Sequence, residues 1–195
     1  MNQYMKKIKI LLFDDIELLD FAGPLEVFSV VSYLRKDLGL LVSTIGLKDK
    51  ITVSKSGLQL IPNETETSDS IDLLIIPGGI GTRQLIQNNE ELIRIDKLIK
   101  NSKVVASVCT GALILGKLGY LKGLNAVTHK NGIDELKEID SSISIDEGKR
   151  FVDNDSIITS AGISAGIDMS LYLIEKYFDK ELKVKVQNYM EYETI

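Results

Sequence analysis

The chain has 195 residues, a formal net charge of −5 and 26% charged residues. That acidic balance argues against nucleic-acid binding, which needs a basic footprint. A single cysteine cannot close an internal disulfide, and a single histidine excludes a His-rich metal site. No metal and no oxidising compartment are therefore expected. With 44% hydrophobic residues, the length suits one α/β domain over residues 1–195 with a sizeable core. Met1–Lys9 is polar and basic, and the apolar run after it, Ile10–Phe13, is too short for a signal-peptide core or a membrane span. A cytoplasmic location without membrane contact is expected.

In chain order, Lys7–Phe13 reads as a first buried strand, followed by a carboxylate-rich loop, Asp14–Asp20. Asp14, Asp15 and Glu17 read as solvated loop charges. Pro24 after Gly23 suits the first turn of a helix running to about Leu38. Its apolar residues Leu25, Val27, Phe28, Val30, Val31 and Leu34 do not keep to one stripe. One face suits the sheet, and the other needs either a neighbour in the chain or a dimer partner. Leu41–Leu47 is a second strand, and Ile51–Val53 with Leu58–Ile61 forms a small hairpin around Lys55-Ser56-Gly57. Asn63–Ser70 is a polar loop. The apolar run Asp72–Ile76 is a third strand, ending at Pro77-Gly78-Gly79-Ile80-Gly81, where glycines permit close backbone approach. Helices follow from Thr82 and over Glu90–Lys100.

Val104–Val108 has the small and β-branched composition of a strand buried on both faces, and Ala112–Leu118 reads as a buried helix. Cys109 lies between them. The spacing Ser107-x-Cys109-x-Gly111 keeps small residues on either side of the thiol, as a sharp strand-to-helix turn requires. Such an elbow sets sulfur at a helix N-terminus, where the dipole favours thiolate. Next, Ala126-Val127-Thr128-His129 reads as a strand end and Ile133–Glu138 as a short helix. Short strands follow at Ser144–Ile145, Arg150–Val152 and Ile157–Thr159, the last two joined through Asn154-Asp155. Ser160–Gly166 is a small-residue turn, with Ser164 as N-cap of a helix to Phe178. Lys180–Tyr189 is a last helix. Strands alternating with helices imply a mostly parallel sheet covered on both faces, with its site beyond the strands' carboxyl ends. Asp20, Gly78, Gly79, Cys109, His129, Ser160 and Ala161 all fall at such positions.

The segments Leu19-Asp20-Phe21-Ala22-Gly23-Pro24, Ile76-Pro77-Gly78-Gly79, Ser107-Val108-Cys109-Thr110-Gly111, Thr128-His129 and Thr159–Asp168 occur in the order seen in the ThiJ/PfpI superfamily. Within it the chain most resembles the isocyanide hydratase group, from about Lys7 to Tyr192. The resemblance implies a flavodoxin-like three-layer sandwich, a homodimer, a nucleophilic cysteine and no cofactor. It also implies that Cys109 is the nucleophile and Asp20 the carboxylic acid facing it. Redox-sensing and glyoxalase-type relatives carry Glu at that position. Thr110 matches the residue after the cysteine in the hydratases; peptidase-like members have His there, so peptidase activity is not expected. His129 occupies a position that lies near the cysteine in some relatives. The hydratases carry a large aromatic after it, whereas Lys130 follows here, so the substrate pocket differs.

The chemistry expected is attack of Cys109 sulfur on a small electrophile, isocyanide-like, with Asp20 as general acid or base because a thiolate and a carboxylate in contact must share a proton. Thr110 would donate its hydroxyl to an intermediate or cap its helix. Gly78 and Gly79 would offer N–H groups to a polarised substrate, with His129, Ser160 and Ala161 completing a pocket for a small molecule. Two rivals are a glyoxalase-like or redox-protective protein that oxidises Cys109, and a non-catalytic ligand sensor.

Overall fold

The computed structural model describes residues 4–47 and 51–193. Its strands and helices are β1 (Lys7–Leu12), α1 (Leu18–Leu34), β2 (Leu41–Gly46), β3 (Thr52–Val53), β4 (Gln59–Leu60), β5 (Ile71–Ile76), α2 (Thr82–Leu85) and α3 (Asn89–Lys100). They continue with β6 (Ser102–Val108), α4 (Gly111–Lys117), β7 (Asn125–Ala126), α5 (Ile133–Ile139), β8 (Ser144–Ile145), β9 (Phe151–Asn154), β10 (Ile157–Ser160), α6 (Ala165–Tyr177) and α7 (Lys180–Tyr189). The main sheet has the order β2-β1-β5-β6-β10-β9, parallel throughout except for β9, which runs antiparallel to β10. Parallel strands covered on both faces must be apolar along their whole length. Accordingly Ile8, Ile10 and Leu11 of β1, Leu73–Ile76 of β5 and Ala106–Val108 of β6 are all buried. Lys9 is a charged exception among the described strand residues, a buried cation in β1 whose ammonium pairs with Glu64.

Helices α1, α6 and α7 pack together on one face, and α2–α5 pack against each other and the sheet on the opposite face. Helix α3 shows how the sequence sets an element. Asn88 caps it by accepting from the N–H groups of Glu90 (3.1 Å) and Glu91 (3.3 Å). Leu92, Ile95 and Ile99 then form its buried stripe.

Three expectations need correction. Helix α1 starts at Leu18, not at Pro24, so Asp20 lies in its first turn and Pro24 inside it. Having no N–H, Pro24 removes the bond the Asp20 carbonyl would otherwise accept, and the helix tolerates it. The helix also stops at Leu34, before a short 3-10 turn at Lys36–Leu38. Within the chain it packs on the sheet and against α6 and α7, with Leu18, Leu19 and Tyr33 left exposed. Second, Ala126–His129 is not a strand end of the main sheet. Strand β7 is only Asn125–Ala126 and pairs with β8 in a separate two-stranded ribbon. Third, Ser164 precedes α6 as foreseen, yet its hydroxyl makes no capping bond. The β3–β4 hairpin and the β9–β10 hairpin form as expected. Among the described residues, no helix is long and apolar enough to cross a membrane.

Candidate active site

The centre of the site is the β6–α4 elbow. Strand β6 ends at Val108, and Cys109 adopts φ 57°, a left-handed conformation that a non-glycine residue occupies only when its surroundings enforce it. The enforcing bonds run along the main chain. The Cys109 N–H donates to the carbonyls of Ser160 (3.0 Å) and Ala161 (3.3 Å), and its carbonyl accepts the Thr128 hydroxyl (2.9 Å). Gly111 is required on packing grounds, because a Cβ there would collide with the carbonyl oxygens of Ile76 and Pro77 at the end of β5.

Asp20 faces the sulfur from the first turn of α1. It is fully buried, with Oδ2 accepting the Gly78 N–H at 3.1 Å. No full hydrogen bond reaches Oδ1, which is buried as well. Burial pushes the carboxyl up to about 7; contact with the Cys109 thiol and the Gly78 N–H oppose that rise. Burial also pushes the thiol up, to about 12, and the neighbouring Asp20 charge adds to the effect. The N–H groups of Thr110 and Ile163 act in the opposite sense, since both donate to the sulfur. Burial thus raises both members of the contact pair, against the favourable N–H groups around the sulfur.

Several predicted residues come together but act differently from what their sequence positions suggest. The Thr110 hydroxyl neither caps α4 nor points at open space; it accepts the Gly79 N–H (3.0 Å) and donates to the Gly79 carbonyl (3.1 Å). The N–H groups of Gly78 and Gly79 are thus engaged by Asp20 and Thr110, and the two glycines wall the site. Ser160 is fully buried, and its hydroxyl donates to the Ser107 carbonyl (3.2 Å). It supports the elbow from below. Ala161 and His129 lie together on a neighbouring cleft, with the imidazole against Gly162. Nδ1 of His129 accepts the Asn131 N–H at 3.1 Å.

Sequence reading missed three contributors. Ile163 supplies an N–H to the sulfur from φ 42°, and nothing in a β-branched residue announces a left-handed backbone. Glu17 and Lys55 form an ion pair at 3.0 Å, held over the site by the β3–β4 hairpin, whose Lys55 N–H donates to the Ile16 carbonyl. Glu17 raises and Lys55 lowers the Asp20 pKa. No cluster of His, Cys, Asp or Glu able to hold a metal occurs among the described residues.

A thiol and a buried acid in contact, beneath two backbone donors, are the parts of a nucleophile with its own proton relay. The chain is 33% identical over 188 residues to an isonitrile hydratase of Pseudomonas putida, covering 95% of this chain and 78% of that protein. It is 24% identical to an HTH-type transcriptional regulator, GbdR, of Pseudomonas aeruginosa, of whose length it spans 53% while matching in full itself. A crystal structure of a ThiJ/PfpI family protein from Pseudomonas syringae superposes with a TM-score of 0.86 at 27% identity, covering 98% of this chain and 76% of that one. Residues 6–176, which hold the elbow, the facing acid and both flanking turns, match the model of the DJ-1/PfpI family, and the chain belongs to that family.

Proposed function

We propose that the protein is a cofactor-independent hydratase of small uncharged electrophiles, isocyanide-like, with Cys109 as nucleophile and Asp20 as its proton relay. The observation that carries this reading is the contact between the Cys109 thiol and a buried carboxyl brought to about 7. At neutral pH such a carboxyl holds and releases a proton with equal ease, as a general acid–base requires. The 33% identical isonitrile hydratase supports the reaction class. The balance of charge disfavours an anionic substrate, because Glu17 and Asp20 outnumber Lys55 around the sulfur.

In the first step Asp20 takes the thiol proton as sulfur attacks the terminal carbon of the isocyanide. The proton passes to that carbon, leaving a thioimidate on Cys109. Water then adds to the same carbon, giving one proton through Asp20 to nitrogen. The carbon–sulfur bond breaks, the hydroxyl proton returns to sulfur, and an N-substituted formamide leaves. One isocyanide and one water become one formamide, and the thiol is regenerated. The N–H groups of Thr110 and Ile163 hold the sulfur while it carries charge. A cytoplasmic homodimer of single-domain subunits completes the proposal, on the resemblance to the hydratase group.

The test is formamide production from a small alkyl isocyanide. Wild type should turn over, Cys109→Ala should not, and Asp20→Asn should lose at least about 100-fold, the lower end for acid–base catalysis. Turnover surviving in Cys109→Ala contradicts the mechanism. Turnover of glyoxals in place of isocyanides moves the protein to the glyoxalase class.

A further inference from the structure

We propose that Arg150 is a positioning residue for Cys109: it grips the turn after β10 from outside and so keeps the Ile163 N–H against the sulfur. The inference rests on the reading of Cys109 as nucleophile and adds a residue that touches neither sulfur nor substrate.

Ile163 has φ 42°, a conformation in which its Cβ crowds the backbone, and the chain holds it only if neighbours leave no alternative. Arg150 supplies that constraint on both sides of Ile163. Before it, the Arg150 carbonyl accepts the Ala161 N–H at 2.8 Å. After it, the guanidinium donates from Nη2 to Ser164 Oγ at 3.1 Å and from Nε to Asp168 Oδ2 at 2.6 Å. Asp168 is fixed in turn, because its Oδ1 accepts the Tyr192 hydroxyl at 2.8 Å. Ser164 is available to Arg150 because it makes no capping bond to α6.

The choice of arginine follows from this geometry. A rigid planar fork reaches a hydroxyl and a carboxylate four residues apart at once, and a lysine ammonium, though it can meet Asp168, holds no such fixed orientation. Arg150 is exposed, and exposed ion pairs add little to global stability. Its effect is therefore local, on the direction of one N–H. Cys109 also faces Asp20, with Glu17 and Lys55 behind it, and those groups lie on other elements that Arg150 does not touch.

The experiment is the rate of Cys109 alkylation by iodoacetamide, followed by intact mass from about pH 6 to about pH 9, in wild type, Arg150→Met, Arg150→Lys and Asp168→Asn. Losing the Ile163 donor destabilises the reacting thiolate. Arg150→Met and Asp168→Asn should therefore react about tenfold more slowly at each pH, equivalent to about one pKa unit, with Arg150→Lys between them and wild type. Loosening of the turn alone would expose the sulfur and speed the reaction. A rate equal to or faster than wild type in a folded Arg150→Met or Asp168→Asn overturns the proposal, as does failure of both to fold. Alkylation needs no isocyanide, so absence of hydration with slowed alkylation removes the proposed reaction and leaves the brace standing. Normal hydration with unchanged alkylation removes only the brace.

Discussion

The turn after β5 and the turn after β10 lie on either side of the β6 elbow, and both are rich in small residues. In the first, Gly79 takes φ 135° without steric cost, and both glycine N–H groups are spent inside the protein, on Asp20 and Thr110. In the second, the left-handed position falls on Ile163, and its N–H goes to the sulfur. One turn fixes the acid by relaxed geometry; the other reaches the nucleophile through a strained residue that must be held. Chain composition makes the two look alike. Their hydrogen-bond partners separate them.

The largest effect should come from filling the relaxed turn. A Cβ on Gly78 would lie 2.6 Å from the Thr110 nitrogen and 2.8 Å from Asp20 Oδ2, both of them fixed. Gly78→Ala should cost about 3 kcal/mol, at the upper end for overpacking, and push Asp20 off the sulfur. Chemical denaturation with Cys109 alkylation on the same sample checks both; an unperturbed melt would show that this turn gives way as readily as the other.

Next in size is the pH dependence of stability. The Asp20 carboxyl is raised from 3.8 to about 7 in the folded state, so folding favours its protonated form. Its effect is absent below about pH 4, and stability falls as pH rises towards 7. Asp20→Asn should flatten that part of the curve, measured as unfolding free energy from about pH 4 to about pH 8. A slope identical to wild type would remove the buried acid from the comparison. The smallest effect is expected at Thr110, whose hydroxyl clamps the relaxed turn. Thr110→Val should cost about 1–3 kcal/mol, because the buried Gly79 N–H loses its partner, and should leave the alkylation rate within a few-fold of wild type.

Much of this was readable from residue order. The apolar runs of β1, β5 and β6 can only be strands buried on two faces, and the small residues around Cys109 announce a sharp reversal. The start of α1 was hidden because a proline suits a first turn, whereas here the helix accepts Pro24 in its second. His129 was set on the wrong kind of element, since Val127 is tied to β10 by a bond to the Thr159 side chain and not by a strand ladder. The burial around the thiol is not legible for a general reason: spacing reveals a helix start, but desolvation depends on everything that closes over the sulfur. Lys55, Arg150 and Ile163 were invisible because each acts on Cys109 from a distant part of the chain.

The proton-sharing pair is tested most directly by the pH profile of Cys109 alkylation in wild type and Asp20→Asn. Wild type should show an inflection near pH 7, where Asp20 loses its proton and becomes able to take the one on sulfur. Asp20→Asn should lose that inflection and rise smoothly with a single thiol ionisation. Superimposable profiles would mean that the two side chains do not share a proton.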